Sequence, residues 1–278
     1  MKSELLKYIK NGYRKVEGWL SPIAINIITE LAAVQQEMEI TGSVGEIGVH
    51  HGKLFILIHF LTGQSEKTVA WDLFDRQAEN VDNSGCGNQS IFKANLQKNK
   101  CDLSRIKVFT ENSMNLTAEI IERECEGKPR LFSIDGGHTA EITYHDLSQA
   151  SKALKQGGLI IIDDFFNEAW PGVSEGVCQY LIEGKQQLFP VVIAGNKYIF
   201  TNDEKMAKTY IQRLNINRPG YITKMSQGFG KDVLVIVSPN SLKSYMKQTL
   251  IWKKLRKMPF KSWIKSTINA NKAIEINS

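Results

Sequence analysis

Apolar and polar positions alternate between two periods along most of the chain. Short apolar runs of strand length are followed by longer stretches that carry apolar residues at helical spacing. The runs that predict strands lie at residues 43–49, 68–73, 105–110, 130–135, 159–163, 188–195 and 197–202. The stretches that predict helices lie at residues 22–39, 54–61, 88–99, 114–125, 141–155, 173–184 and 204–215. Repeated strand–helix–strand units predict a parallel sheet that is covered by helices on both faces.

The last two strands of this series are joined by Gly195 and Asn196, a pair that favours a tight hairpin. We therefore expect an α/β, doubly wound, seven-stranded sheet in three α/β/α layers, mostly parallel with an antiparallel last strand. After residue 203 the pattern weakens, and one further strand is predicted at 232–238 behind a glycine-rich turn. This organisation predicts a helical N-terminal cap at 1–40, a main domain at 41–203, an extension at 204–240 and a tail at 241–278.

The net charge of +6 is concentrated in the tail. Residues 241–278 hold nine Lys or Arg and one Glu, so they carry +8 and the first 240 residues carry −2. The main domain is therefore not expected to bind nucleic acid. Residues 241–265 mix these basic residues with aromatic ones, which is typical of a solvated helix packed on its domain or of a helix lying on an anionic membrane surface.

Cysteine spacing and the N-terminal residues bear on location. The four cysteines are scattered without a C-x-x-C pair, and the N-terminus has no apolar segment of the secretory type. We expect reduced thiols and a cytoplasmic protein, with peripheral contact at the inner face of the membrane as an open alternative. Self-association into a homo-oligomer is also left open.

Several strand ends carry residues suited to ligand binding, because ligands of such sheets sit beyond the carboxyl ends of the strands. Glu46, Gly48 and Gly52 form an E-x-G-x-x-x-G motif after the first strand. Asp72 ends the second strand, where a carboxylate can accept both hydroxyls of a ribose. Asn112 and Ser113 follow the third strand, where they are suited to lining an adenine pocket or to capping the next helix.

In this order, these motifs resemble those of the class I S-adenosylmethionine-dependent methyltransferases, which have a Rossmann-like fold. The resemblance covers roughly residues 22–202. The stretches SIDGGH, LKQGGLIIIDD and PGV are similar to the branch that methylates sugar hydroxyls in macrolide and aminocoumarin biosynthesis. The resemblance implies S-adenosylmethionine as cofactor, bound by Glu46, Gly48, Gly52, Asp72, Asn112, Ser113 and Asp135.

Three carboxylates converge at neighbouring strand ends, from Asp135, Asp163 and Asp164, and no Lys or Arg lies within these motifs. Raised pKa values or a bound cation would relieve their mutual repulsion, and a divalent cation is the direct solution, with Mg²⁺ favoured by the oxygen ligands. The resembled branch likewise implies Asp135, Asp163 and Asp164 as metal ligands and His138 as general base, in a catalytic pair with Asp135. Histidine side chains ordinarily titrate near neutral pH, which suits them to proton transfer.

The sequence thus predicts an S-adenosylmethionine-dependent O-methyltransferase, with Mg²⁺, that acts on a sugar or another small polyhydroxylated or glycan acceptor. Two alternatives stay open. The strand-end acids are also compatible with a metal-independent class I methyltransferase, in which Asp163 and Asp164 only cap the next segment. A relative that has lost methyl transfer, such as a hydroxylase-like or membrane-surface protein, is the other. No chemistry can be read from the segment at residues 74–92, but its length suits a lid or a substrate loop.

Overall fold

The computed structural model describes residues 2–184 and 187–238, and one nine-stranded sheet runs through these residues. Its strands are β1 Val44–Ile47, β2 Thr68–Asp72, β3 Ile106–Thr110, β4 Leu131–Ile134, β5 Leu159–Ile162, β6 Phe189–Ala194, β7 Lys197–Thr201, β8 Ile222–Gly228 and β9 Lys231–Val237. They follow the order β3-β2-β1-β4-β5-β7-β6-β9-β8. The first five are parallel and β7 runs antiparallel to β5, which confirms the predicted doubly wound, Rossmann-like sheet.

Helices cover both faces of the sheet. They are α1 Lys2–Lys7, α2 Pro22–Glu37, α3 Lys53–Phe60, α4 Gln89–Lys98, α5 Ala118–Glu124, α6 Ala140–Ala153, α7 Pro171–Glu183 and α8 Glu204–Leu214. One apolar cluster joins the sheet to α2, α3, α4 and α8, and a second joins it to α5, α6 and α7. In β5, Leu159 and Ile161 belong to the first cluster while Ile160 and Ile162 belong to the second. This alternation explains why a strand buried on both faces is apolar throughout.

Helix starts are fixed by side-chain caps. Five residues accept a hydrogen bond from the backbone N–H three residues further on: Ser21, Asn88, Thr117, Thr139 and Asp203. Such caps satisfy backbone donors that a first helical turn leaves free. The cap at Thr117 starts α5 at Ala118, later than the predicted 114, and residues 113–115 form a 3-10 turn instead. Thr139, the residue after His138, caps α6, which starts at Ala140.

The count of seven strands was wrong, because the part of the chain that the structure describes already has nine. Residues 222–228, which no apolar run marked, pair antiparallel with β9 across the turn at Phe229 and Gly230. β9 in turn lies parallel to β6 and extends the sheet. Because β8 is an edge strand with many exposed positions, it has no need of the apolar pattern that reveals a buried strand.

The N-terminal residues pack on the first apolar cluster, where the Tyr8 hydroxyl donates to the carbonyl of Lys53 at 2.6 Å. Among the residues that the structure describes, no helix has both the length and the apolar character needed to cross a bilayer. The predicted basic tail at 241–278 lies outside the described residues, so its contacts stay a prediction.

Candidate active site at the strand ends

The candidate residues follow the carboxyl ends of β1, β2, β3, β4 and β5, which meet along one edge of the sheet. Strand order reverses between β1 and β4, since β2 and β3 continue on one side and β5 on the other. In open α/β sheets this reversal creates the crevice in which ligands bind. The fold therefore brings the strand-end motifs of the sequence to one crevice.

Asp135, His138 and Asp164 converge at this edge. One side-chain ligand atom from each lies within 4.8 Å of the other two. The Nε2 atom of His138 is 4.0 Å from Oδ1 of Asp135 and 3.7 Å from Oδ2 of Asp164. The three side chains are only partly buried, with exposed fractions of 12%, 30% and 18% for His138, Asp135 and Asp164. A cation or an acceptor can therefore reach them, and the two carboxylates are a donor set that fits a hard divalent cation.

The backbone at Asp164 is left-handed, with φ 56°. Aspartate tolerates this conformation better than most residues, but it is a strained state that persists where the surroundings impose it. The Asp164 N–H donates to Oδ1 of Asp163 at 2.9 Å. This turn separates the two adjacent carboxylates, so that Asp164 joins His138 and Asp135 while Asp163 lies in the interior.

Asp163 is held by a lysine that lies outside the sequence motifs. Lys197, the first residue of β7, donates to Oδ2 of Asp163, and both side chains are almost fully buried. Asn196 also donates to Asp163 and, at 3.3 Å, to Oδ1 of Asp164. The motifs themselves contain no Lys or Arg, as the sequence showed, but the fold brings a cationic side chain to Asp163 from outside them. The antiparallel register pairs Ile162 with Tyr198, which brings the following Asp163 beside the preceding Lys197.

The buried Lys197 lies among three acidic side chains, those of Asp163, Asp135 and Glu46. Burial alone would lower the pKa of Lys197, but the carboxylates of Asp163 and Asp135 raise it, so the lysine is a cation. Burial, together with the neighbouring Asp163, raises the pKa of Asp135 well above its usual range. Burial also raises the pKa of Glu46 to about 8 despite the opposing Lys197. The protein thus supplies one cation for several acids, and Asp135 gains from a further positive charge.

The first motif lies where β1 meets β4. Glu46 is buried within β1, and Gly52 immediately precedes α3. A side chain on Gly48, whose φ is 79°, would place its Cβ 1.7 Å from the carbonyl oxygen of Asp135. Only glycine fits this contact, which holds the first motif against the Asp135 turn.

Asp72 ends β2 and is held by neighbouring backbone groups. Its Oδ2 accepts from the His50 N–H at 2.7 Å, and its Oδ1 accepts from the Phe74 N–H at 2.6 Å. Burial raises its pKa, although these N–H groups favour the ionised form. A Cβ on Gly87 would lie 3.0 Å from Oδ1, so the glycine leaves space beside the carboxylate. Because each carboxylate oxygen can accept more than one hydrogen bond, Asp72 fits a ribose diol.

Asn112 and Ser113 follow β3, and the structure shows the capping role that the sequence left open. The Asn112 side chain accepts from the Met114 N–H at 3.0 Å and caps the short turn at 113–115. The Ser113 hydroxyl lies 3.8 Å from the place where a Cβ on Gly136 would be. Ser113 therefore stands beside the loop that carries Asp135 and His138.

Two neighbours of His138 were missed in the sequence. Asp82 lies in the long segment between β2 and α4, and its Oδ2 is 2.8 Å from Nδ1 of His138. Trp170, directly before α7, stacks on the imidazole with ring centres 4.4 Å apart and planes 17° apart. The length of the segment was the sequence signal that could have led to Asp82, because long ordered loops tend to be functional.

Comparison with known proteins gives a match to one protein family. A family model described as a methyltransferase domain matches residues 46–165, a range that contains every strand-end residue named in the sequence. No curated protein matches the chain by sequence.

Two solved structures are similar in fold. The O-methyltransferase NovP is 14% identical, with a TM-score of 0.51 over 65% of this chain and 81% of that chain. An O-methyltransferase from Bacillus cereus, solved in complex with SAH, is 16% identical, with a TM-score of 0.50 over 71% of this chain and 89% of that chain. At these identities the likeness is one of fold. Residues 46–165 thus match a methyltransferase domain by sequence, and the sheet that contains them has a fold similar to that of two solved O-methyltransferases.

Proposed function

We propose that this enzyme is an O-methyltransferase that acts on a hydroxyl of a sugar or another polyhydroxylated acceptor. The observation that carries the proposal is the convergence of Asp135, Asp164 and His138 within 4.8 Å in a partly open site. It sets two carboxylates beside a ring nitrogen, which suits the binding and deprotonation of an alcohol. The two solved structures compared above also bear the O-methyltransferase name.

The cofactor half of the site is assigned to the motifs after β1, β2 and β3. Asp72 accepts hydrogen bonds from the ribose hydroxyls. The Gly48–Gly52 turn lets the backbone pass close to the cofactor. Glu46 lies beneath that turn, and Asn112 and Ser113 line the adenine side. S-adenosylmethionine, when bound, supplies a methyl group on a positively charged sulfur. The protein's task is to hold an acceptor oxygen in line with that methyl group.

The acceptor half is assigned to the carboxylates and the imidazole. Asp135 and Asp164 hold the divalent cation, with Mg²⁺ preferred because the ligands are oxygens. A bound cation supplies positive charge that favours the ionised form of a nearby hydroxyl. Asp163, which the sequence included among the ligands, is assigned instead to holding Lys197 and Asn196 at the strand end. His138 accepts the hydroxyl proton at Nε2, the nitrogen that faces Asp135 and Asp164.

The proposal is tested first by binding and then by product analysis. Titration calorimetry of the wild-type chain with S-adenosylmethionine and with S-adenosylhomocysteine should show one site. A panel of free monosaccharides, nucleotide-diphosphate sugars and non-carbohydrate alcohols, incubated with methyl-labelled cofactor and Mg²⁺, should give a labelled methyl ether from at least one of the sugars. Absence of cofactor binding contradicts the methyltransferase. Cofactor binding with no labelled sugar, but with label in a non-carbohydrate alcohol, contradicts the sugar acceptor alone.

A metal-independent methyltransferase is the second candidate, and Lys197 is the observation that favours it. The lysine already neutralises one of the clustered acids, so part of the repulsion that called for a metal is relieved by the protein itself. A metal-independent enzyme keeps its turnover when a chelator is added, whereas the first proposal requires that the chelator abolish turnover.

Contact of the basic tail with an anionic membrane surface is proposed from the sequence alone, because residues 241–265 lie outside the described range. The measurement is co-sedimentation with vesicles that contain phosphatidylglycerol. We expect binding by the full chain and its loss after truncation at residue 240. Unchanged binding of the truncated chain contradicts the role of the tail.

A further inference from the structure

We propose that Asp82 is a positioning residue for His138: its carboxylate fixes the ring so that the Nε2 lone pair points at the acceptor hydroxyl. The inference rests on the proposed function of the strand-end site, and it names a residue that neither the strand-end motifs nor their resemblance includes. Its basis is a set of contacts between the long segment after β2 and the turn after β4.

Asp82 contacts His138 twice. Its Oδ2 accepts from the backbone N–H of His138 at 2.6 Å and lies 2.8 Å from Nδ1 of the same residue. The Asp82 side chain is less exposed than that of His138, with 8% of Asp82 and 12% of His138 exposed. The other carboxylate oxygen, Oδ1, accepts from the Ser84 N–H at 2.8 Å. Both oxygens are therefore fixed, and the carboxylate holds the ring and the backbone of His138 together.

This contact determines which ring nitrogen is free. A carboxylate only accepts hydrogen bonds, so the proton of a neutral imidazole resides on Nδ1 and the lone pair on Nε2. Although partial burial opposes it, hydrogen bonds from Ser84 and His138 lower the pKa of Asp82, which keeps it an acceptor. Nε2 is the nitrogen that faces Asp135 and Asp164. The stacked Trp170 fixes the ring plane as well, so rotation and tautomer are both constrained.

The segment that carries Asp82 also contacts the cofactor half of the site. Gly87 lies beside Asp72, and Asn88 at the end of the segment caps α4. Within the segment, the Asn80 side chain donates to the carbonyl of Ser84 at 2.5 Å. One stretch of chain therefore spans from the assigned ribose acid to the assigned base. A purely structural role for Asp82, as an anchor of this segment, is the rival explanation.

The variants Asp82→Asn, Asp82→Glu and Asn80→Ala separate the two explanations. Asp82→Asn keeps the size but offers an amide that can also donate, so the ring is no longer held in one tautomer. By analogy with the serine protease triad, in which the corresponding change selects the wrong tautomer, kcat should fall roughly 10²–10⁴-fold. The KM and the affinity for S-adenosylhomocysteine should stay within about 3-fold. Asp82→Glu keeps the charge and should recover kcat to within roughly 10-fold of the wild type.

The direct readout is the ¹⁵N spectrum of the His138 ring, recorded at a pH where the ring is neutral and assigned by its loss in His138→Gln. The wild type should show the Nδ1–H tautomer, and Asp82→Asn a mixture or the other tautomer. Asn80→Ala loosens the segment without touching His138, so it should keep both the tautomer and kcat. Thermal unfolding checks that each variant is folded, and Asp82→Glu provides the comparison if the amide variant is not.

Either of two results overturns the inference: a wild-type tautomer in Asp82→Asn, or equal losses of kcat in Asn80→Ala and Asp82→Asn. The kcat values use the panel member with the highest turnover. The ¹⁵N spectrum needs neither acceptor nor metal, so it gives an answer even if the wild-type chain methylates nothing. Failure of the proposed function and failure of the Asp82 inference are thus distinguishable.

Discussion

Asp163 and Asp164 are adjacent in the chain and opposite in their surroundings. Asp163 is buried and contacts Lys197, whereas the Asp164 side chain is partly exposed and faces His138. The left-handed backbone at Asp164 produces this division. A buried carboxylate requires a compensating charge from the protein, and an open one can take its cation from solution. We call Asp163 and Lys197 the interior pair, and Asp135 and Asp164 the rim carboxylates. Substitutions of the interior pair should therefore mainly change stability, and substitutions of the rim carboxylates should mainly change the rate of methyl transfer.

The largest expected effect on stability comes from Lys197→Met. Removing the cation leaves Asp163 buried and unpaired, which should lower the free energy of unfolding by about 3–5 kcal/mol in urea denaturation. The double variant Lys197→Met with Asp163→Leu removes both charges and should regain most of that loss. Lys208→Met breaks an exposed ion pair with Glu204 and should change stability little. An equally small effect of Lys197→Met contradicts the role of the buried pair.

Asp164→Asn should change the rate of methyl transfer much more than the stability of the fold. Asparagine tolerates the left-handed backbone, so the free energy of unfolding should change by less than about 1 kcal/mol. Methyl transfer should fall roughly 10²–10³-fold, because a proposed cation ligand is lost. Mn²⁺ binding, followed by its electron paramagnetic resonance signal, should weaken in parallel. The exposed acid Asp232 gives the matched control Asp232→Asn, and equal Mn²⁺ affinity in the two variants contradicts the assignment of Asp164.

Asp146 extends the comparison to a buried carboxylate without a lysine. It lies on α6, and burial raises its pKa from 3.8 to about 7, although the Ser113 hydroxyl favours ionisation. A raised pKa means that the folded state binds the proton more tightly. The stability that this bound proton contributes to the folded state is present at low pH and is lost as pH rises from about 4 through 7.

Asp146→Asn should therefore be more stable than the wild type at pH 8, by roughly 4 kcal/mol for a pKa raised from 3.8 to about 7. The difference should shrink to under about 1 kcal/mol at pH 4, because the wild-type side chain is then neutral in the folded state. Urea denaturation of both proteins at the two pH values measures this difference in the free energy of unfolding. The contributions of other titrating groups are the same in both proteins and cancel in the difference. A gap that does not depend on pH contradicts the shifted ionisation of Asp146.

The smallest expected effect is that of Asn196→Ala. The Asn196 side chain donates to both Asp163 and Asp164 and so connects the interior pair to the rim. Its loss should cost about 1 kcal/mol of stability and weaken Mn²⁺ binding several-fold. A change in stability with unaltered Mn²⁺ affinity would show that the interior and the rim are independent.

The sequence predicted the layers of the fold well because strands such as β5 are buried on both faces and carry an unbroken apolar run. It missed β8, since an edge strand in contact with solvent needs no such run. It also found the strand-end acids, because the order of parallel strands brings their carboxyl ends together.

The sequence could not distinguish the roles of Asp163 and Asp164. They are adjacent residues of the same type, and the left-handed backbone at Asp164 gives their side chains different surroundings. Lys197 was missed as a partner because it lies 34 residues away and reaches Asp163 through the register of β5 and β7. Asp82 lies in a segment without apolar periodicity, so only its contact with His138 reveals it. In each case the information is in tertiary packing, which no local pattern records.

The central claim is that the rim carboxylates Asp135 and Asp164 hold a cation that methyl transfer requires, in addition to the positive charge that Lys197 supplies from the interior. The most direct measurement is the rate of methyl transfer from labelled S-adenosylmethionine to the best acceptor of the panel, before and after removal of divalent cations with a chelator. We expect the rate to fall by at least roughly 10²-fold and to return on addition of excess Mg²⁺. A rate that the chelator leaves unchanged contradicts the claim and assigns the positive charge at this site to Lys197.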